Sequence, residues 1–250
     1  MPIKTWITAF VLLSALLPLA AMAQTNPPCT ATDKTCLLDT LNATAKTIPE
    51  DNWRDQTWRE VAKAAAAHGQ MSRALEIVPL VKNPDTKAMT IRGIAMAVAS
   101  LNLDTEARKE IFSSLRTEAD KIEHAPSQAI ALTYIAMGQA FAGDHKDSMA
   151  TASSMTNPAL RNKAYGEAAE ILAERNNLPY VQENLAAIDD PGYKDKEKGL
   201  VVKKFADIKS FESALVIAND IVNPYEKAQA LLYIMNKQSV TDDEETKATE

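Results

Sequence analysis

The sequence predicts an all-α fold: a solenoid of about five helix-pair repeats with a capping helix at each end. Three observations predict it. Prolines preceded by Asn or Asp recur at a near-constant interval. Columns of small or aliphatic residues recur at the same interval, and Gly or Asn stands at a fixed offset where a helix should stop.

The chain opens with Lys4, an apolar run from Trp6 to Ala21 broken only by Thr8 and Ser14, and the small-x-small site Ala21-Met22-Ala23. These are the parts of a secretory signal, too short and too early for a spanning helix of about 20 residues. Residues 1–23 are therefore expected to be removed, and the mature chain to be periplasmic or secreted. No Cys follows the site directly, which argues against a lipid anchor. Loss of Lys4 leaves 26 of the 27 basic residues against 33 acidic ones, 26 − 33 = −7. That balance argues against nucleic acid and anionic membrane as partners. No second run of spanning length follows, so no integral membrane segment is expected after cleavage.

Residues 24–48 read as a disulfide-clipped N-terminal segment and capping helix. Cys29 and Cys36 are the whole supply of cysteine, and an even count in an oxidising compartment favours a bond between them. Closing so short a loop constrains the unfolded chain by roughly 2.5 kcal/mol on the chain-entropy account. A redox or metal pair is the alternative, but the spacing is not C-x-x-C and no His lies nearby. Asp33 to Thr47 follows as a lone helix with Leu37, Leu38 and Leu41 on its apolar face.

Residues 49–238 carry the repeat. Pro49, Pro84, Pro126, Pro158, Pro191 and Pro224 are spaced 35, 42, 32, 33 and 33 apart, and Asn83, Asn157, Asp190 and Asn223 directly precede four of them. Asn or Asp before Pro starts a helix: the side chain caps a free N–H, and Pro in the first turn loses no intrahelical bond. The register is set by Val61, Ile94, Ile135, Ala168, Val201 and Ile234, spaced 33, 41, 33, 33 and 33. Five residues further on stand Ala66, Ala99, Ala140, Ala173 and Ala206. Eight further on stand Gly69, Asn102, Gly143 and Asn176, with Lys209 the exception. Gly and Asn tolerate the left-handed backbone that ends a helix. A second helix is then under way at Ala74, Ala107, Ser148, Val181 and Ala214. The 41-residue step is one unit with eight extra residues, which should lengthen its second helix to about Asp104–His124. Pro224 to about Gln238 is a lone first helix, so each end carries half a unit as a cap. Residues 239–250, with Asp242, Asp243, Glu244 and Glu245 and no apolar period, read as a disordered acidic tail.

This period, the small residues at helix crossings and the Pro between units resemble the tetratricopeptide-like α-solenoid superfamily, over about Asp33 to Gln238. HEAT-like pairs are the neighbouring alternative, though their period is usually longer. The resemblance implies a right-handed superhelix serving as a protein- or peptide-binding scaffold.

Candidate chemistry is sparse. His68, His124 and His145 sit at helix ends, where imidazole meets terminal carbonyls; only a distant His68–His145 metal pair stays open. Asp144 and Asp147, and Asp189, Asp190 and Asp195, match no calcium loop and read as caps. No catalytic residue, metal or cofactor is expected. A basic column, Arg54, Lys87, Arg161, Lys194 and Lys227, stands seven residues before the register, broken by Gln128. It reads as stems along the seam with heads on the carbonyls that end the preceding helix, or as a ladder for an acidic chain.

The candidate binding site is a groove on the first helices. In the middle two units it comprises Met89, Arg92 and Met96 with Ile130, Thr133 and Met137. The flanking units place Gln56, Arg59, Lys63 and Lys163, Gly166, Glu170 at the same positions. A Met-rich centre with polar ends suits a peptide or partner protein, because Met adapts to varied shapes. The competing placement packs these residues inside the stack. The functional expectation is an exported protein- or peptide-binding scaffold without catalytic activity. The alternative is an all-α enzyme acting on cell-wall glycan or peptide, for which Glu167 and Glu170 are the nearest paired carboxylates.

Overall fold

A computed structural model describes the backbone of residues 29–248 and the side chains of residues 29–238. The leader expected at residues 1–23 lies outside the described residues. Among the described residues there is no strand. Twelve helices follow one another: α1 Lys34–Thr47, α2 Asp51–Ala67, α3 Met71–Ile77 (extended by a 3-10 turn, Val78–Leu80), α4 Pro84–Ser100, α5 Thr105–Asp120, α6 Ala125–Ala142, α7 His145–Ser153, α8 Pro158–Glu174, α9 Leu178–Ala187, α10 Pro191–Asp207, α11 Phe211–Asn219 and α12 Pro224–Ala248. Each even-numbered helix packs on the next even-numbered one, from α2 through to α12, and from α2 to α10 each also holds the odd-numbered helix that follows it. The even helices are thus the first helices of the units, and among the described residues α1 is a second helix without a first.

Local chemistry explains the boundaries. The side chains of Asn83, Asn157 and Asp190 accept the backbone N–H three residues on, and Asn223 accepts from Tyr225 and Glu226. Each is followed by Pro in the first turn, where its missing N–H costs nothing. At the N-terminus Asp33 caps α1 through the Cys36 N–H at 2.9 Å, and Cys36 is bonded to Cys29 with their Cα atoms 5.6 Å apart. Cap and clip therefore converge on one turn. Gly69 and Gly143 take φ of +75° and +90°, and Asn176 takes +55°, as helix stops require. Lys209 does the same work at +62° without the freedom of Gly.

Three details differ from expectation. Asn102 is not left-handed; α4 ends at Ser100 and the chain turns locally, with Leu103 N–H donating to the Leu101 carbonyl. The lengthened second helix is α5, which stops at Asp120 rather than His124. The restart at Pro126 draws residues 121–124 into the turn, and His124 becomes the residue before α6. At the far end α12 runs to Ala248, ten residues past Gln238, so the acidic segment continues a helix instead of leaving it. No Gly or Pro follows Pro224, and propagation adds one hydrogen bond per residue fixed.

The core is the register column itself: Val61, Ile94, Ile135, Ala168, Val201 and Ile234 are all buried. Burying one such aliphatic side chain contributes about 1.5–3 kcal/mol. One residue further on, Ala62, Ala95, Ala136 and Ala169 are fully buried and let successive even helices approach. At the α4–α6 crossing backbone meets backbone: a Cβ on Gly138 would lie 2.9 Å from the Ala95 carbonyl oxygen. Only glycine fits there.

Two polar columns hold the units in register. Asp55 accepts the N–H groups of Lys82 and Asn83, and Asp195 accepts those of Val222 and Asn223. Asn162 accepts from Asp189 N–H in the same way. These buried side chains on one even helix satisfy the turn that launches the next. Four residues of the basic column cap helix C-termini. Arg54 donates to the Ile48 carbonyl, Arg161 to Met155, Lys194 to Ala186 and Lys227 to Asn219. Each cation thus meets the negative end of the preceding odd helix.

Candidate functional site

The six residues expected to line a groove lie on α4 and α6, which pack side by side. Spacings of three and four place Met89, Arg92 and Met96 on one face of α4, and Ile130, Thr133 and Met137 on the matching face of α6. Ile130 is exposed and Met89, Met96 and Met137 are half-buried. Arg92 is exposed, and its guanidinium carbon sits 4.5 Å from the centre of the Tyr134 ring. Cation–π contact of this kind orients the head without desolvating it fully.

Two of the six depart from the expected lining. Thr133 is buried, and its hydroxyl donates to the Ala129 carbonyl at 2.8 Å, so it offers no free group to a ligand. Met137 packs partly against the hydrophobic core. Tyr134, which sequence reasoning passed over, joins the surface instead. Its signal was present: Tyr233 occupies the equivalent place in α12, and both rings receive a cation from the preceding even helix.

The same face in the next units is charged. On α8 and α10 stand Glu167, Glu170, Tyr193 and Glu197, with Lys204 2.5 Å from Glu174 and 3.8 Å from Glu170. Glu197 is only 4 % exposed, and its Oε2 has no hydrogen-bond partner. Burial raises its carboxyl above the ordinary value, against the pull of the Tyr193 hydroxyl. Burial first, then the neighbouring Glu197 and Glu167 charges, raises Glu170 as well. The Tyr193 phenol is pushed up by burial and by its bond to Glu197.

The position of Glu197 is unusual for this fold. Four residues before the register, the other even helices from α4 onward have Thr90, Ala131, Ala164 and Ala230, all small and buried. Space for Glu197 comes from across the contact, where a Cβ on Gly166 would lie 2.7 Å from its Cδ and Oε2. By register, Arg92 on α4 is the equivalent of Gly166 and Ala131 on α6 that of Glu197, so at α4–α6 the large residue stands on the other helix.

The histidines occupy helix ends. His145 stacks on Tyr180 with ring centres 4.1 Å apart, and burial lowers its imidazole below the ordinary value. His68 follows α2, and His124 Nδ1 lies 2.6 Å from Ser127 Oγ. Among the described residues no group of three or more His, Cys, Asp or Glu is placed to hold a metal ion. A cavity of about 450 Å³ opens between α9, α10 and α11, lined by Leu185, Lys194, Lys198 and Asp220. Its lysine heads are engaged, Lys194 with the Ala186 carbonyl and Lys198 with the Asp220 carbonyl and carboxylate.

No family model matches the chain, and no curated protein matches it. Among solved structures, Ton1535 from Thermococcus onnurineus NA1 covers 80% of this chain and 84% of its own at 12% identity, with a TM-score of 0.25. That likeness is too low to carry an argument. No described helix is long and apolar enough to cross a membrane. The Cys29–Cys36 disulfide is compatible with an extracellular protein.

Proposed function

We propose that the protein is an exported, tetratricopeptide-like scaffold, periplasmic or secreted, that binds a peptide or partner protein on the α4–α6 face. One observation carries this reading. Met89, Met96 and Ile130 form an accessible apolar patch beside a guanidinium held ready by Tyr134. Adaptable apolar side chains around one oriented cation suit an apolar segment that carries a carboxylate. The test is capture from the native compartment with three baits: wild type, Ile130→Glu, and Lys163→Glu as control. A partner retained by wild type and control but lost from Ile130→Glu, at matched melting points, supports the reading. A partner set indifferent to Ile130→Glu contradicts it.

A second reading has Glu197 on its side. A buried carboxyl with a raised pKa, near Glu167 and Glu170, is what a general acid of a glycan-cleaving enzyme needs. Hydrolysis of cell-wall glycan that disappears in Glu197→Gln would favour it over the scaffold.

A further inference from the structure

Some of the most exposed large apolar side chains of the protein lie at the two ends of the stack. Tyr225, Leu232 and Met235 on α12 are 69, 50 and 64 % exposed, and Trp53 on α2 is 60 % exposed. Their places in the repeat say what covers them. Each even helix presents one face to its successor and the opposite face to its predecessor, and five such contacts run from α2 to α12.

The pairings across those contacts are visible in the interior. Asp85 on α4 accepts a hydrogen bond from Ser127 on α6. A Cβ on Gly199 of α10 would sit 3.9 Å from Glu226 of α12. The Ala95 carbonyl of α4 lies against Gly138 of α6. Counted from the register residue of each unit, Tyr225, Leu232 and Met235 are the equivalents of Asp85, Gly199 and Ala95. Trp53 is the equivalent of both Ser127 and Glu226, and Ala64 that of Gly138. The open face of α12 and the open face of α2 are therefore the two sides of the contact that already repeats through the molecule.

We infer that copies of this chain associate head to tail, with α2 of one copy stacked on α12 of another. Trp53 of the second copy then lies between Tyr225 and Leu232, and its Ala64 meets Met235. The half-units complete each other as well. Among the described residues α12 is a first helix without its second and α1 a second helix without its first, so the order α12, α1, α2 across the junction restores the repeat. α1 brings Leu37 and Leu41, both exposed in the single chain. The contact continues an established interface in its own register, which is why a second copy, rather than an unrelated partner, is its occupant. It is heterologous and leaves a free end on every oligomer.

The experiment is sedimentation of the secreted chain across concentrations up to ~1 mM, with wild type, Trp53→Asp and the double variant Leu232→Asp/Met235→Asp. Tyr225→Asp serves as a second block on the α12 end should the double variant melt early. Wild type should associate beyond the dimer with rising concentration. Each variant alone should show a dissociation constant ~10-fold or more higher. An equimolar mixture of the two should form a 1:1 pair and stop there, because each supplies the end the other lacks. A wild type that stays monomeric throughout overturns the inference. So does Trp53→Asp that associates as wild type does, since that result belongs to symmetric α12–α12 pairing.

Discussion

The α4–α6 and α8–α10 contacts are the same interface used twice, and they resolve the same packing problem in opposite ways. At α4–α6 the large residue is Arg92, in the register place of Gly166, with the small Ala131 in that of Glu197, and its guanidinium stays at the surface over Tyr134. At α8–α10 the large residue is Glu197, facing Gly166, and its carboxyl is taken inside with one oxygen unbonded. In each pair one residue is large and the other small, on opposite helices, and the placing of the polar head is reversed. A repeating backbone therefore accepts a bulky residue on either side of a crossing if its opposite number shrinks. What differs is whether the polar head keeps its water. The first arrangement leaves an accessible surface at little cost in stability; the second costs stability and leaves a perturbed acid.

The largest expected effect separates two neighbours within the first contact. Met137→Glu should destabilise by about 2–4 kcal/mol, because a carboxylate would be forced against the core. Ile130→Glu, on the exposed side of the same helix, should change stability by less than ~0.5 kcal/mol. Urea unfolding of both variants measures the difference, and equal losses would mean that α6 has no accessible side here.

The second contact should behave in reverse. Glu197→Gln is expected to gain about 1–3 kcal/mol over wild type where the carboxylate is ionised, since burial disfavours its charged form. The sign follows from linkage. A carboxyl whose folded pKa lies above its unfolded value adds stability that is present below the unfolded value and lost as pH rises through the folded one. Wild type should thus close the gap on Glu197→Gln as the solution is acidified through that window. Asp189, Asp195 and Asp207, whose values are lowered, work the other way in both proteins and cancel in the difference. Melting curves at several pH values check this; a gap that widens on acidification would contradict it.

A smaller effect sits at the helix stops. Lys209→Gly should stabilise by about 0.5–1 kcal/mol, because the left-handed backbone at +62° strains any residue with a Cβ. The equivalent change at Asn176 should gain less, since Asn tolerates that conformation. Thermal melts of the two variants rank them.

Much of this architecture was legible in the chain because it repeats. Asn157 before Pro158 and Asn223 before Pro224 announce helix starts by chemistry that acts locally, and the caps are found where the residues stand. Gly69 and Gly143 announce stops for the same reason. Lys209 could be placed only by period, since nothing in lysine favours φ above zero. The candidate surface was half legible. Spacing put Met89, Met96 and Ile130 together on one accessible face, but it could not tell that Thr133 is covered, because burial there depends on the neighbouring helix. Glu197 escaped because it is a single departure from a column whose meaning, small residues at a crossing, emerges only when the helices are seen to touch.

On the proposed function the α4–α6 face is open to a partner and the α8–α10 face is not. A photo-crosslinking residue placed at Ile130, and separately at Lys163, its equivalent on α8, tests this most directly in cells that express the protein. A discrete covalent adduct is expected from position 130 and none above background from position 163. Adducts of equal yield at both positions, or an adduct from 163 alone, would contradict it.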